Sequence, residues 1–421
     1  MKDLFKIAWR NLNRNKVRTV IAILAITTVV AIVVFSRGLI LGFSDNTYDL
    51  YIDNNLGHAR IIQSEYRNRE ALLSLDYGID GFQGAGLENM LLEIKELEET
   101  EYIVPRLKFG ALYGGQANEM VRMAGFGIDP VAEKRHGLLL EEINRGRMPE
   151  EGNEILVGVG LLDKLKADIG DQVTFMFTNY YQSLQGRTFT IVGVRESGFS
   201  EFDDNFFYLP LTTVQSMLGM EDQATEIMVF STSRDRAEEL EESLAILFQE
   251  RDGTDNYSAL AWQRTDPILE LFLEMESIFD FIYIAIILMG TIAVISTLKM
   301  IIRERITEIG MMSALGLKPR DILKIFTVEG ALMGIIGSAF GVLSGGLINL
   351  YLSRAGLHVQ AYADTISGMD VLVEPAFYPV FNLENLLVSF ILGATVVTIT
   401  CLWPARSAAR LDPVTALHHD S

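Results

Sequence analysis

Four stretches of the chain lack the polar face that a helix packed in a water-soluble core keeps. They cover residues 20–43, 278–298, 325–352 and 386–403, and they carry only isolated charges such as Arg37, Asp280 and Glu329. Each approaches or exceeds the roughly 20 apolar residues that cross a bilayer, so the pattern predicts four transmembrane helices. The pattern overshoots the membrane at two of them. Asp266-Pro267 is a helix start with Pro in the first turn, and no further Pro interrupts the sequence up to residue 300. A helix over 267–300 is about 50 Å long, against about 30 Å of hydrocarbon. The excess falls where Glu270, Glu274 and Glu276 stand. Beyond the first span, Phe43, Thr47, Leu50 and Tyr51 continue one helical face until Asn54-Asn55-Leu56-Gly57. Both connections to the intervening segment therefore read as helical stalks; the plainer alternative is loops beginning at Ser44 and at Glu274.

Between the first two spans the pattern changes to short apolar runs and amphipathic helices. "ARIIQ", "YIVPRLKFGALYG", "MVRMAGFGID", "NEILVG" and "EIMVFS" read as strands. "DIGDQVTFMF" and "RTFTIVGVRE" read as a hairpin, and "GLENMLLEIKELEET", "GLLDKLKA" and "DRAEELEESLAILFQER" as helices. The expected fold is an α-helical membrane domain of four transmembrane helices, with a large mixed α/β extracytoplasmic domain inserted between helices 1 and 2. The expected parts are a cytoplasmic amphipathic helix (1–18), helix 1 with its stalk (19–54), and the α/β domain (55–265). The second stalk and helix 2 follow (266–302), then a cytoplasmic connection (303–321) and helix 3 (322–353). An external loop (354–384), helix 4 (385–404) and a cytoplasmic tail (405–421) complete the chain. The α/β domain divides into subdomains at about 55–135 plus 225–265 and 140–225.

Basic residues orient the spans. Lys2, Lys6, Arg10, Arg14, Lys16 and Arg18 precede the first; Lys299, Arg303, Arg305, Lys318, Arg320 and Lys324 surround the 303–321 connection; Arg406 and Arg410 follow the fourth. Asp364, Asp370, Glu374 and Glu384 mark the loop between the third and fourth. Both termini and the 303–321 connection are thus expected in the cytoplasm, and the α/β domain outside. The first span is too long for a cleaved signal and has no small-x-small site, so it reads as an anchor. Before it, Leu4, Phe5, Ala8, Trp9 and Leu12 share a helical face. That segment reads either as a helix in the headgroup layer or as a frayed polar tail.

Composition agrees with a membrane part joined to an acidic soluble part. The 421 residues are 49% hydrophobic yet carry a formal net charge of −20. Cys401 is the single cysteine, which leaves no disulfide framework and no CxxC metal site. The acidic balance opposes nucleic-acid binding, and no GxxxxGK[ST] phosphate loop is present. The histidines His58, His136, His358, His418 and His419 form no catalytic constellation.

The segment "RERITEIGMMSALGLKPRDIL" is ordered beyond what a simple connection needs. Ile306, Ile309, Met312 and Leu315 recur at i, i+3 spacing, Gly316 is a helix stop, and Pro319 starts the next helix. It reads as a short helix able to dock into a cytoplasmic partner, with a solvated interfacial loop as the alternative. This segment resembles the coupling segment of four-span ABC-transporter permeases, a superfamily of macrolide exporters, the cell-division permease and lipoprotein-releasing permeases. "AWRNLNRNKVRT" resembles the family's N-terminal helix, and "NEILVGVGLLDKLKADIGDQVTF...FTIVGV" its external core. "WPARSAARLDPVTALHHD" resembles its closing motif, with Pro404, Ala405, Ala409, Arg410, Asp412 and Pro413 in the expected places.

Within that superfamily, "GLILGFSDNTYDLYIDNNLGHARI", "IVPRLKFGALYGGQANEMVRMAGFGIDPVAEKR" and "LAWQRTDPILELFLEMES" resemble the lipoprotein-releasing branch. The resemblance implies a permease subunit, not itself an enzyme, in the bacterial inner membrane. It implies a second permease, identical or paralogous, and a separate cytoplasmic ATPase dimer that binds ATP and Mg, with no cofactor or metal in this chain. Arg305, Glu308, Ile309, Ala314 and Gly316 would form the ATPase-coupling surface. The substrate would be a lipoprotein, its acyl chains against Ile40, Phe43, Ile278, Phe279 and Ile282; each of these has ordinary span or lipid contact as its alternative role. Some members recruit a periplasmic lipoprotein chaperone with a proline-containing hairpin. The matching "TNYYQSLQGR" is short and lacks Pro, a departure that counts against chaperone recruitment by this chain. The alternatives are peptide or drug efflux, transmembrane force transmission to periplasmic partners, and a receptor or anchored enzyme without an ATPase.

Overall fold

A computed structural model describes residues 10, 14, 16–114, 120–136, 138–150, 152–197, 200–251, 256–265, 267–304, 306, 309, 311, 317–358 and 376–409. In chain order it begins with α1 (Lys16–Tyr51), a π-helical turn (Ile52–Leu56), β1 (Ala59–Gln63) and α2 (Leu87–Lys95). There follow β2 (Tyr102–Gly114), β3 (Met120–Ile128), α3 (Pro130–His136), β4 (Ile143–Gly146), β5 (Glu154–Gly158) and α4 (Val159–Leu165). Next come β6 (Gln172–Thr178), β7 (Leu184–Arg195), β8 (Phe206–Pro210), α5 (Leu211–Leu218), β9 (Glu226–Phe230), α6 (Ala237–Arg251) and β10 (Tyr257–Ala261). The last long elements are α7 (Pro267–Glu304), α8 (Pro319–Ala355) and α9 (Leu383–Ala409). Four helices, α1, α7, α8 and α9, are long and apolar enough to cross a membrane. The α/β part lies between the first and second of them, as the sequence pattern requires. The amphipathic face of Leu4, Phe5, Ala8, Trp9 and Leu12 lies outside the described residues.

The chain divides into two units. One comprises Met1–Asn46, Phe272–His358 and Ala376–Ser421; the other Thr47–Leu271 with Val359–Pro375. In the first, α1 and α8 meet along a ladder of glycines four residues apart. A Cβ added at Gly337, Gly341 or Gly345 would stand 2.7, 2.6 or 2.8 Å from the Cβ of Ile26, Val30 or Val34. Small residues at this spacing let helix backbones approach, which supplies packing where water cannot drive association. Polar bonds reinforce the same seam. Asn349 donates to the Val34 carbonyl at 2.9 Å, and Thr27 donates to the Gly337 carbonyl at 3.2 Å. Ala22, Ile26, Val30, Val34, Val294, Met333, Val397 and Cys401 form the core of this helix group.

The second unit is built on one ten-stranded sheet, ordered β10-β1-β9-β2-β3-β8-β5-β7-β4, with β6 joining β2 and β7. The pairs β3–β8 and β5–β7 are parallel; the other pairs are antiparallel. Leu87, Met90 and Ile94 of α2 and Leu240, Leu244 and Phe248 of α6 cover one core with Ile61, Ile227 and Val229. A second core gathers Leu161, Leu162 and Leu165 of α4 and Val214, Met217 and Leu218 of α5 around Phe175, Phe189 and Phe207. This second core also takes Leu107, Phe109, Ala111 and Met123, which the sequence division placed in the first subdomain. The reason is length: β2 has 13 residues, pairs with β9 through 102–106, and so reaches from one core into the other.

Candidate functional site

In the membrane unit, α1 and α7 run antiparallel, and an ion pair joins them at each end. Arg18 pairs with Glu304; Arg37 pairs with Asp280 at 3.0 Å. Arg18 to Arg37 spans about 28 Å along a helix, close to the ~30 Å of a hydrocarbon core. Between the pairs the contact is apolar. Val33, Tyr283 and Ile287 are buried, with Val29 and Ile286 packed against them; Ile40 and Phe279 continue the seam just past the Arg37–Asp280 pair. Gly290 permits the approach, since a Cβ there would lie 3.0 Å from Val29 Cβ. Charged side chains within a span are rare, are usually paired and often mark a substrate path. The Arg37 Nε is buried and makes no hydrogen bond, while Asp280 is exposed.

The five expected substrate residues do not form one pocket. Ile40 and Phe279 lie in the α1–α7 seam, and Phe43 is half-buried on α1. Ile278 and Ile282 are 56% and 44% exposed and continue along α7 with Phe281, Met289 and Ile292 as an outer apolar stripe. Their separations of three, four and seven residues put them on one face, away from Tyr283 and Ile287. Hydrophobicity identifies both faces as apolar and cannot separate the paired face from the outer one.

Of the expected coupling residues, Arg305, Glu308, Ala314 and Gly316 lie outside the described residues, as do Met312, Leu315, Arg410, Asp412 and Pro413. Ile309 is described and is 1% exposed. It packs with Ile302 of α7, Ile322 and Phe326 of α8 and Ala405 of α9. Its side chain is therefore turned into the chain's own helix ends instead of presenting an exposed docking face. The physical reason is that an apolar side chain needs an apolar surface, and Ile309 finds one where the ends of α7, α8 and α9 converge.

A polar cluster in the second unit surrounds the π-helical turn Ile52–Leu56. The Arg106 guanidinium donates to the Asn54 carbonyl and to Glu133 Oε1 at 2.9 Å. Arg195 donates to Asn54 Oδ1 and to the Tyr208 hydroxyl and pairs with Glu142. Lys108 donates to Asn55 Oδ1 at 2.7 Å and pairs with Glu226 at 2.9 Å. Arg60 meets the same Glu226 at 2.9 Å and also Glu70. The side chains of Arg60, Arg106, Lys108 and Arg195 are all buried. His136 Nε2 lies 2.8 Å from the Asp53 carbonyl, which can only accept. Nε2 therefore carries the proton, and Nδ1 accepts from the Tyr102 hydroxyl at 2.9 Å. Gly57 closes the turn at φ +67, and a Cβ there would meet Met228 Cβ at 3.0 Å; both conditions require glycine.

Burial sets the titration of this cluster and of His58, whose Nδ1 accepts from the Ser231 N–H at 3.0 Å. It pushes the His58 imidazole down to about 4 and lowers His136 and the Lys108 ammonium, because each loses water around its charged form. Burial also raises Glu142, against the opposing pull of Arg195. At Glu70 burial favours the acid, but Arg60 and Lys108 prevail and hold the carboxyl below its ordinary value. Hydrophobic periodicity gives no weight to these residues. One sequence signal does exist: Arg106 and Lys108 stand two apart in an apolar strand, so both charges face the same side. Among the described residues no group of histidine, cysteine and carboxylate side chains could hold a metal.

Comparison with known proteins covers both units. Residues 19–247 match the family model of the MacB-like periplasmic core domain, and residues 281–413 match that of the FtsX-like permease C-terminal region. The lipoprotein-releasing system transmembrane protein LolC of Xylella fastidiosa is 25% identical, over 75% of this chain and 77% of its own. The macrolide export ATP-binding/permease protein MacB of Nitrosomonas europaea is 30% identical over 54% of this chain, but only 33% of its own length is matched. Among solved structures, the periplasmic region of MacB from Actinobacillus actinomycetemcomitans covers 50% of this chain and 92% of its own, at 13% identity and a TM-score of 0.34.

Proposed function

Because this chain belongs to the ABC-transporter permeases that carry a MacB-like periplasmic core domain and an FtsX-like permease region, we propose that it couples ATP hydrolysis by a separate ATPase to extraction of lipoproteins from the outer leaflet of the inner membrane. The observation that carries this reading is the likeness to a lipoprotein-releasing protein over three quarters of each chain. In this reading both termini and the 303–321 connection face the cytoplasm, where two ATPase copies bind ATP and Mg. A second permease, identical or paralogous, completes the membrane assembly.

Arg305, Glu308, Ala314 and Gly316 are the proposed contact with the ATPase, and Ile309 ties that contact to the ends of α7, α8 and α9. Closure of the ATPases then moves all three helix ends together. The acyl chains of the cargo enter beside Ile40, Phe43 and Phe279, with Ile278 and Ile282 as the apolar approach from lipid. The Arg37–Asp280 pair stands at the same level as this seam and keeps α1 and α7 together until cargo separates them. A second reading, efflux of a peptide or drug, is favoured by the 30% identity to a macrolide export protein.

Purification from native membranes in mild detergent tests both. Co-purification of an ATPase with bound lipoproteins supports extraction. An ATPase without lipoprotein moves the function to efflux or force transmission, and absence of any ATPase removes the coupling role. Glu308→Lys is expected to abolish function and ATPase co-purification while the permease still folds.

A further inference from the structure

The residues that hold the π-helical turn come from elements far apart in sequence. Arg106, Lys108 and Tyr102 lie on β2, Arg195 ends β7, and His136 ends α3. Through them every residue from Asp53 to Asn55 is bound: Asp53 by its carbonyl, Asn54 by carbonyl and side chain, Asn55 by its side chain. Asn54 holds the centre. Its amide also donates to the Leu50 carbonyl in the last turn of α1, at 3.1 Å. A π-turn leaves backbone groups out of the ordinary helical ladder and is frequent at functional sites. A connection that only had to end α1 needs the Gly57 stop and a water-exposed carbonyl; it does not need two buried guanidinium groups on one asparagine. Buried charges of this kind stabilise little by themselves, since desolvation consumes most of their Coulomb gain. They do impose one geometry, because any displacement of the turn leaves buried N–H donors of these cations without their amide acceptors in a dry site.

We propose that the turn Ile52–Leu56 is the anchor by which α1 grips the ten-stranded sheet, with Asn54 as its positioning residue, so that displacement of α1 reaches the sheet without loss. This rests on the transport reading above for its consequence, though not for its geometry. Asn54 binds neither cargo nor nucleotide; it acts through Arg106 and Arg195.

The experiment uses the full chain and three variants. Asn54→Leu keeps the bulk and removes the side-chain bonds. Asn54→Asp keeps an oxygen for Arg195. Asn55→Ala is the milder probe, should Asn54→Leu fail to fold. Hydrogen exchange on each purified chain reads the anchor with neither ATPase nor cargo present. Faster exchange at 50–57 in Asn54→Leu, or in Asn55→Ala, with the β5 and β9 amides unchanged and protection kept in Asn54→Asp, is the expected result. Unchanged exchange at 50–57 in both the Leu and Ala variants overturns the anchor. Proteoliposomes holding the chain and its co-purified ATPase then read ATP hydrolysis and release of a synthetic triacylated lipopeptide. The expected split is retained hydrolysis with lost release for Asn54→Leu, and recovery of release for Asn54→Asp. Release that stays coupled to hydrolysis in Asn54→Leu overturns the positioning role. Wild-type chain that hydrolyses ATP and releases no lipopeptide sinks the transport reading instead, and leaves the exchange result standing.

Discussion

Arg60, Arg106, Lys108 and Arg195 carry their charges out of water, and each meets a carboxylate or an amide oxygen. Removal of one partner is costly because the other charge stays buried. Glu226→Ala strips a shared carboxylate from Arg60 and Lys108, and the expected loss is about 3–5 kcal/mol, read as a lower urea midpoint of the detergent-solubilised chain. A midpoint equal to wild type would mean that the two cations find other partners. The half-buried imidazoles give a pH dependence of definite sign. Folded His58 titrates at about 4, against 6.5 for a free side chain. Between these values the unfolded chain binds more protons than the folded one, so stability is full above about pH 6.5 and falls as pH drops toward 4. His136 is lowered as well and adds the same sign. Thermal midpoints should decline as pH falls across that window, with a shallower slope in His58→Gln; a flat profile would contradict a half-buried imidazole held neutral.

At the scale of the element, the α1–α8 contact depends on what glycine lacks. Gly341→Leu places side-chain atoms where Val30 already stands, 2.6 Å from the first added carbon. Overpacking of this kind costs about 1–3 kcal/mol, expected as a lower thermal midpoint in detergent. Val30→Ala in the same chain should recover part of the loss, because it returns the space. Failure of that pair to interact would mean that the helices part instead of packing. The same scale explains why the seam residues were only half legible. Apolar runs in a membrane lack the polar face that marks the outer side of a soluble helix, so the sequence identifies α7 as a span without saying that Tyr283 faces α1 and Phe281 faces outward. Ile309 illustrates the reverse limit. Its periodicity is plain, but periodicity states that a face is apolar, and only its neighbours Ile302, Ile322, Phe326 and Ala405 tell what covers it.

For the whole molecule, the charge distribution around the spans predicts an orientation that labelling can check. With Cys401 replaced by alanine, a cysteine at exposed Leu72 should react with an impermeant maleimide added outside intact cells. A cysteine at exposed Arg320 should react only after the membrane is opened. The opposite pattern would invert the orientation and place the proposed ATPase contact on the wrong side. The number of spans, the α/β insertion between the first two and the permease family all follow from features that reach along the chain: apolar length, the change of period near residue 57, and the sequence motif before Pro319.

Hydrophobic length and period by themselves determined the four spans, the helical continuation of α1 and α7 beyond the apolar core, and the main strands and helices of the inserted domain. These are local properties, decided by transfer to lipid and by side-chain spacing within one element. Only the tertiary structure decided that the inserted domain is a single sheet, since strand order depends on pairings such as β1 with β9 that no local signal encodes. It alone brought Arg37 to Asp280, Gly341 to Val30, and Arg106 and Arg195 to Asn54. A buried charge or a side-chain-free glycine is unfavourable read singly, and it becomes intelligible only beside the partner that the fold supplies.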